Sequence, residues 1–195
     1  DGRSDRLVLG AEVPFIAGKR WADILVIEDA HTHAYEIKSA LDSLEMLKDQ
    51  TSDYLDTFDY TTLVVSEAHL KDARKLITDY VGLIAVKDTG KIQSLRPAKQ
   101  RVRQKKENLL NFLWRDDLIK AIRRKQPISG NVPESFYLRK KVMELYSVLE
   151  IRELAIAALK TRYGVRYKNF LSERGRKTFI EDLPLLTTIQ PELIA

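Results

Sequence analysis

Apolar and polar residues alternate along the start of the chain, and a period of two is the pattern of β-strands. Three strands are predicted there, at 6–14, 21–28 and 33–38, with a turn around Gly18 between the first two. The stretch 24–27 is apolar at every position, which predicts a central strand covered on both faces. A sheet is therefore expected at the beginning of the fold.

The period changes to that of an α-helix at about Ser39, where a helix of about 17 residues is predicted from one apolar arc. A strand at 61–66 and an amphipathic helix at 68–79 follow. The segments 83–87 and 91–95 are predicted to form a hairpin. This order of elements predicts an α/β fold with a mixed central sheet flanked by helices.

The second half of the chain has a helical pattern throughout. A sheet-containing core is predicted at 1–98, a basic linker at 99–106, and a C-terminal all-helical lobe at 107–195. The helical patterns within the predicted lobe cover residues 107–125, 134–149 and 150–163.

The composition is that of a soluble globular protein, with 44% hydrophobic and 31% charged residues. There is no cysteine, which excludes disulfides, thiolate zinc sites and thiol nucleophiles and fits a reducing cytoplasm. No apolar run approaches the roughly 20 residues that a membrane helix needs. We therefore expect a cytoplasmic protein without a membrane partner.

Charge is distributed unevenly. Residues 1–100 hold 13 Lys+Arg against 17 Asp+Glu, a net −4, whereas residues 101–195 hold 20 against 11, a net +9. A basic lobe beside an acidic core suits an enzyme that binds DNA, and a merely solvated Lys/Arg-rich surface is the equally weighted alternative. No sequence-reading motif is evident, so recognition of the DNA backbone is expected. The candidate phosphate contacts are Arg101, Arg103, Lys105, Lys106, Arg123, Arg124, Lys125, Arg139, Lys140 and Lys141.

Two acids stand in apolar strands. Asp23 lies in the second predicted strand and Glu36 in the third, and a carboxylate away from water needs a partner or a metal ion. Hard oxygen ligands select Mg²⁺ or Mn²⁺. Lys38 is two residues beyond Glu36 and so projects from the same face of the strand. Adjacent strands are thus expected to form a metal site with a lysine beside it.

At this point the sequence resembles the PD-(D/E)XK nuclease superfamily. The resemblance rests on Asp23, a thirteen-residue step to Glu36, and Lys38, although the proline of the family name is absent. Gln50 and Tyr54 look like the Q-x-x-x-Y element of the RecB-type branch, and four residues apart on a helix they share one face. The arrangement is most similar to a small bacterial nuclease-like family of unassigned function with a helical C-terminal extension.

The resemblance implies that residues 1–98 form a restriction-endonuclease-like core and that the protein is a Mg²⁺- or Mn²⁺-dependent DNA nuclease acting in repair, restriction or defence. Asp23 and Glu36 would hold the metal, which lowers the pKa of a bound water from its bulk value of about 15.7. Lys38 would orient that water and stabilise the charge that develops on the phosphate. Gln50 and Tyr54 would position Lys38 or the DNA backbone.

Other interpretations of these residues stay open. Glu12 would match the additional upstream acid of many superfamily members, although it lies in a predicted strand rather than in a helix. The acids and Lys38 could instead form a structural ion pair in a non-catalytic nuclease fold that binds DNA or another protein, such as a phage- or plasmid-encoded factor. A homodimer, in which a second copy of the chain is the partner, is a further open alternative. His31 and His33 are interpreted as turn and strand residues.

Overall fold

A single six-stranded sheet organises the protein, and the order of its strands is their order in the chain. The computed structural model describes residues 6–128, 131–175 and 177–187. The last eight residues of the predicted lobe, 188–195, lie outside the described residues. The strands are β1 (Leu7–Phe15), β2 (Arg20–Glu28), β3 (His31–Lys38), β4 (Tyr60–Ser66), β5 (Gly82–Val86) and β6 (Ile92–Arg96).

The sheet is mixed, as predicted. Strands β1, β2 and β3 pair antiparallel, β3, β4 and β5 pair parallel, and β5 and β6 return to antiparallel pairing. A parallel pair needs a crossover connection, and helices supply both of them. The helices are α1 (Leu47–Leu55), α2 (Leu70–Leu76), α3 (Lys106–Leu110), α4 (Arg115–Lys125), α5 (Ser135–Leu145) and α6 (Val148–Glu173). The prediction of an α/β protein with helices on a mixed sheet is confirmed.

The first helix is shorter than predicted, because α1 begins at Leu47 and not near Ser39. The Asp42 carboxylate accepts hydrogen bonds from the Ser39 backbone N–H at 2.7 Å and from the Ser39 hydroxyl at 2.5 Å. Such local side-chain bonds satisfy backbone groups without a helix and therefore compete with it. The stretch from Ser39 to Met46 forms turns instead.

The long helix predicted at 107–125 is two helices, α3 and α4. The break falls at 111–114, where the Asp117 carboxylate accepts from the Trp114 backbone N–H at 3.0 Å and starts a new helix. Helix α6 is longer than predicted, with 26 residues, because buried aromatic rings continue its apolar face to Phe170. None of the helices in the described ranges is long and apolar enough to cross a membrane.

The core lies on one face of the sheet. Leu25 and Ile27 are fully buried against the helices, whereas Ile24 and Val26 on the other face are only half-buried. The prediction that this strand is covered on both faces is therefore wrong. The largest core cluster joins sheet residues such as Leu25 to helix residues such as Leu110 and Tyr163.

Backbone hydrogen bonds hold the predicted linker against the loops that precede β5 and β4. Backbone N–H groups of Lys99, Arg101 and Lys105 donate to the carbonyls of Tyr80, Asp59 and Asp56 at 3.0, 2.7 and 2.8 Å. The segment thus crosses the starts of β5 and β4 and leads into α3. The division of the chain into a core and a lobe stays a prediction.

Candidate active site

Strands β2 and β3 separate at one end. Their pairing stops at Ile24 and Tyr35, although β2 continues to pair with β1, and β3 with β4 as far as Lys38. Asp23 and Glu36 occupy the next facing positions of the two strands. The two acids therefore stand where the sheet opens into a wedge.

Side chains replace the backbone pairing that is missing in the wedge. The Ile37 N–H donates to Asp23 Oδ2 at 2.6 Å. The Trp21 carbonyl oxygen lies 2.9 Å from the Tyr54 hydroxyl, whose single proton is shared between this carbonyl and Glu36. These contacts provide partners for two backbone groups where the strands part. The opening is consequently built into the fold.

Glu36 is the centre of the cluster and is only 4% exposed. Its Oε1 lies 2.8 Å from Lys38 Nζ and accepts from Gln50 Nε2 at 3.1 Å, and its Oε2 accepts from the Tyr54 hydroxyl at 2.5 Å. Burial, followed by the charge of Glu36, raises the pKa of Tyr54 far above its usual value. Tyr54 therefore remains a proton donor to this carboxylate.

The five residues singled out in the sequence for catalysis come together in space. Gln50 and Tyr54 project from α1 toward Glu36, while Asp23 and Lys38 approach it from the sheet. The Oε1 atom of Gln50 is buried and has no hydrogen-bond partner in the described part of the chain. The structure thus places the residues, and their catalytic roles stay predictions.

Asp23 has an unusual acidity. Burial raises the pKa of its carboxyl to about 6, with further increases from the charges of Glu36 and Glu12 and an opposing effect of the Ile37 hydrogen bond. The group therefore loses its proton just below neutral pH. A cation beside it would stabilise the carboxylate form.

Glu12 faces Asp23 from β1 in a gap of the strand pairing, between the pairs of Ala11 with Ile24 and Val13 with Ala22. Its backbone has a positive φ of 50°, which is unusual for a residue other than glycine, and its side chain is exposed. In the described ranges, no three His, Asp or Glu side chains are close enough to hold a metal ion. The role of Glu12 as a third ligand stays a prediction.

The predicted phosphate contacts divide into two groups. Lys106 and Arg139 make hydrogen bonds within the fold. Lys106 Nζ donates to two carbonyls at the C-terminal end of α5, and half-buried Arg139 donates to the Leu110 carbonyl at 2.7 Å. Arg123 and Arg124 are exposed at the C-terminal end of α4. The other exposed or half-exposed members are Arg101, Arg103, Lys105, Lys125, Lys140 and Lys141.

A second buried charge pair was missed in the sequence. Asp59, 2% exposed, accepts from Arg152 Nε at 2.9 Å, from Gln104 Nε2 at 2.9 Å and from the Thr32 N–H at 2.8 Å. Arg152 also donates to the Ala30 carbonyl at 2.6 Å. An acid directly before an apolar strand was the available signal, but its partner is 93 residues away.

The fold and the site define a class: a mixed α/β protein in which acids and a lysine meet where two strands part, beneath a helical cover on one face. The sequence model of the bacteriophage P4 protein cII family matches residues 2–187. The chain belongs to the bacteriophage P4 protein cII family.

Two individual proteins are also similar to this chain. Protein cII of Enterobacteria phage P4 is 26% identical over 168 residues, which are 84% of this chain and 63% of that protein. The chain therefore spans less than two thirds of the length of this relative. A solved structure, the SPO1766 protein of unknown function from Silicibacter pomeroyi, is similar with a TM-score of 0.37 and 13% identity, over 90% of this chain and 88% of that one.

Proposed function

We propose that the protein is a metal-dependent DNA nuclease with a PD-(D/E)XK-type core. The observation that carries the proposal is the pair of carboxylates, Asp23 and Glu36, at facing positions in the wedge between β2 and β3, with Lys38 on the same strand face. A sheet does not need to part around two acids for stability alone. Acids and a lysine at such an opening suit the hydrolysis of phosphate esters.

The residues of the wedge fit Mg²⁺ or Mn²⁺. Mg²⁺ is commonly held by one or two carboxylates and keeps several waters, so a third acid is not required. Asp23 and Glu36 would hold the ion. Gln50, whose Nε2 contacts Glu36, carries a further hard oxygen, Oε1, which has no hydrogen-bond partner among the described residues. Burial is the main cause of the raised pKa of Asp23, so a bound cation would favour the carboxylate form of this side chain.

The reaction would be hydrolysis of a phosphodiester. The oxygen of a water adds to phosphorus, the bond from phosphorus to one ester oxygen breaks, and that ester oxygen takes up a proton. Bound metal would supply polarisation of the phosphate and a more acidic water. Lys38, 2.8 Å from Glu36, would orient this water and stabilise the additional negative charge on the phosphate oxygens. Tyr54 and Gln50 would hold Glu36 in place.

A second candidate function has its own supporting observation. Both oxygens of Glu36 are already engaged, by Lys38 and Gln50 on one side and by Tyr54 on the other. A carboxylate in such a complete network can serve the stability of the fold alone. The alternative is a non-catalytic protein that uses a nuclease-like fold to bind DNA or another protein.

The experiment that separates the two candidates is a cleavage assay with linear, circular and single-stranded DNA, in EDTA and in Mg²⁺ or Mn²⁺. We expect cleavage only with metal, and Glu36→Gln is expected to abolish it. The matched control is Glu45→Gln, an exposed acid in the turns before α1. Absence of cleavage of every substrate with either metal would favour the binding protein.

Replacement of Asp23 by Asn is expected to stabilise the metal-free protein at pH 7 by about 1 kcal/mol. The folded-state pKa of about 6 lies above the ordinary 3.8, so the unfolded chain ionises first and stability is lost as pH rises from about 4 to 6. Asn still accepts from Ile37 and carries no charge. The gain should shrink as the pH falls toward 3.8 and vanish well below that value, where the carboxyl is protonated in both states.

Thermal unfolding of the same variant also tests the metal site. Millimolar Mg²⁺ should raise the Tm of the wild type, because a ligand that binds only the folded state stabilises it, and should leave Asp23→Asn unchanged. Asp53→Asn, at the surface ion pair with Arg20, is the control and should keep the Mg²⁺ shift. An equal shift in the wild type and Asp23→Asn would exclude Asp23 as a ligand.

The affinity for DNA is expected to fall steeply with salt, because the binding of cationic side chains to phosphates releases counterions. Arg123→Gln with Arg124→Gln should flatten the plot of log Kd against log salt by about 0.9 for each phosphate that the variant no longer neutralises. Lys71→Gln with Arg74→Gln, on the exposed face of α2, is the control and should leave the slope unchanged. Equal slopes for all three proteins would show that the end of α4 does not contact DNA.

A further inference from the structure

The face of the sheet opposite Glu36 carries a groove of about 570 Å³. Its floor is formed by outward-facing residues of β2 to β6, and no described helix contributes to its lining. A volume of this size is within the range of about 300–1,000 Å³ that is usual for small-ligand sites. The groove is therefore large enough for one or two nucleotides and is separate from the wedge.

Four aromatic side chains form a continuous strip in the groove. His33 and Tyr35 are stacked with ring centroids 4.4 Å apart and an angle of 18° between the planes. Tyr60 on the neighbouring strand lies 5.5 Å from His33 and 6.0 Å from His31. Rings on an open sheet face offer π-surfaces on which flat groups can stack.

Hydrogen bonds fix the central ring, and burial leaves it uncharged. His33 Nε2 lies 2.8 Å from the Thr62 hydroxyl, and His33 Nδ1 lies 3.4 Å from the Tyr35 hydroxyl. Burial lowers the pKa of His33 to about 4, so the ring is neutral at physiological pH. A rigid, neutral ring suits stacking by a planar, uncharged partner.

One end of the groove is basic. Arg96, Pro97 and Ala98 line it, and the segment 96–106 holds six Lys+Arg and no Asp or Glu. Three of these cations have partners within the fold, since Lys99 and Lys105 pair with aspartates and Lys106 donates to carbonyls, which leaves the three arginines as the main phosphate contacts. The Arg96 guanidinium is held by the carbonyls of Val81 and Thr78 at 3.0 and 2.8 Å. A fixed cation followed by a basic segment complements a phosphate backbone.

The other end of the groove is acidic, because Glu28 and Asp29 line it. Phosphates would be repelled there, whereas the exocyclic amino groups of bases can donate to carboxylates. The two ends therefore favour a ligand with phosphates on one side and bases on the other. An acidic or purely apolar peptide lacks this combination.

From this arrangement we propose that the groove binds unpaired bases of a single-stranded nucleic acid, stacked on Tyr35, His33 and Tyr60, with the backbone directed toward Arg96 and the basic segment. This surface is independent of the proposed nuclease site, since it lies on the other face of the sheet. It would hold a strand whether or not the wedge cuts DNA.

The test is equilibrium binding of short labelled probes in EDTA, which prevents cleavage. The probes are an oligodeoxycytidylate, the corresponding oligocytidylate, whose bases both carry an exocyclic amino group, and an abasic strand with the same number of phosphates. The wild type should bind at least one of the first two at least about fivefold more tightly than the abasic strand. Equal affinity for all three would overturn the proposal, and this arm needs no variant.

Variants locate the binding in the groove. Tyr35→Leu and Tyr60→Leu should each weaken oligodeoxycytidylate or oligocytidylate binding by at least about fivefold, whereas Tyr35→Phe and Tyr60→Phe should retain it. Phe136→Leu with Tyr137→Leu, an exposed aromatic pair on α5, is the matched control and should bind like the wild type. A loss in the α5 control and not in the groove variants would place the bases elsewhere and overturn the proposal.

Discussion

Replacement of Lys38 by Met is expected to lower DNA cleavage at least about 100-fold while leaving DNA affinity within about twofold of the wild type. Lys38 is 13% exposed at its side chain and lies 2.8 Å from Glu36 Oε1, so it is positioned to act on the water and the phosphate charge. Met retains the apolar stem and removes the charge. Cleavage is measured under single-turnover conditions, and binding is measured in EDTA.

A second variant separates catalysis from stability. Removal of Lys38 leaves Glu36 buried with only Gln50 and Tyr54, and breaking a buried ion pair typically costs about 3–5 kcal/mol. The double variant Glu36→Gln with Lys38→Met removes both charges, so it should regain stability and remain inactive. If Lys38→Met cuts at the wild-type rate, the role assigned to this lysine is wrong, even if the class of enzyme is right.

Replacement of Arg152 by Met should lower the free energy of unfolding by about 3–5 kcal/mol and the Tm by about 10 °C. Asp59 is almost fully buried and would lose its only cationic partner among the described residues. The pair also connects α6 to the start of β4, so the loss affects the contact between helices and sheet. Urea and thermal unfolding measure the change.

The surface pair of Lys125 and Glu150 provides the comparison. Both side chains are about 40% exposed, and an exposed pair contributes little to stability because water and salt screen its charges. Lys125→Met should therefore change stability far less than Arg152→Met. A similar small loss for both variants would mean that water reaches Asp59 and replaces its partner.

Much of the fold could be predicted from local patterns. The alternation of apolar residues located the first three strands to within two residues, and it placed Glu36 and Lys38 on one face. The spacing of Gln50 and Tyr54 likewise placed both on one helix face. These features depend only on the period of a strand or of a helix.

The features that sequence could not supply all depend on distant partners. Strands β2 and β3 part before Ile24 and beyond Tyr35, where Asp23 and Tyr54 contact backbone groups of β3 and β2 respectively, and neither contact is visible in a local pattern. The uncovered face of the sheet could not be predicted, because an apolar Val26 fits a covered face equally well. Asp59 and Arg152 are 93 residues apart and carry no shared motif.

The agreement between strand order and chain order has a consequence for how the protein is made. Neighbouring strands of the sheet are consecutive in the chain, so each strand after β1 can pair, as it leaves the ribosome, with the strand synthesised just before it. The apolar face of β1, however, stays uncovered until α6 is made, whose Tyr163 packs against Gly10 of β1. A nascent chain therefore exposes the apolar residues of β1 from the synthesis of this strand to that of α6, and aggregation competes with folding during that interval.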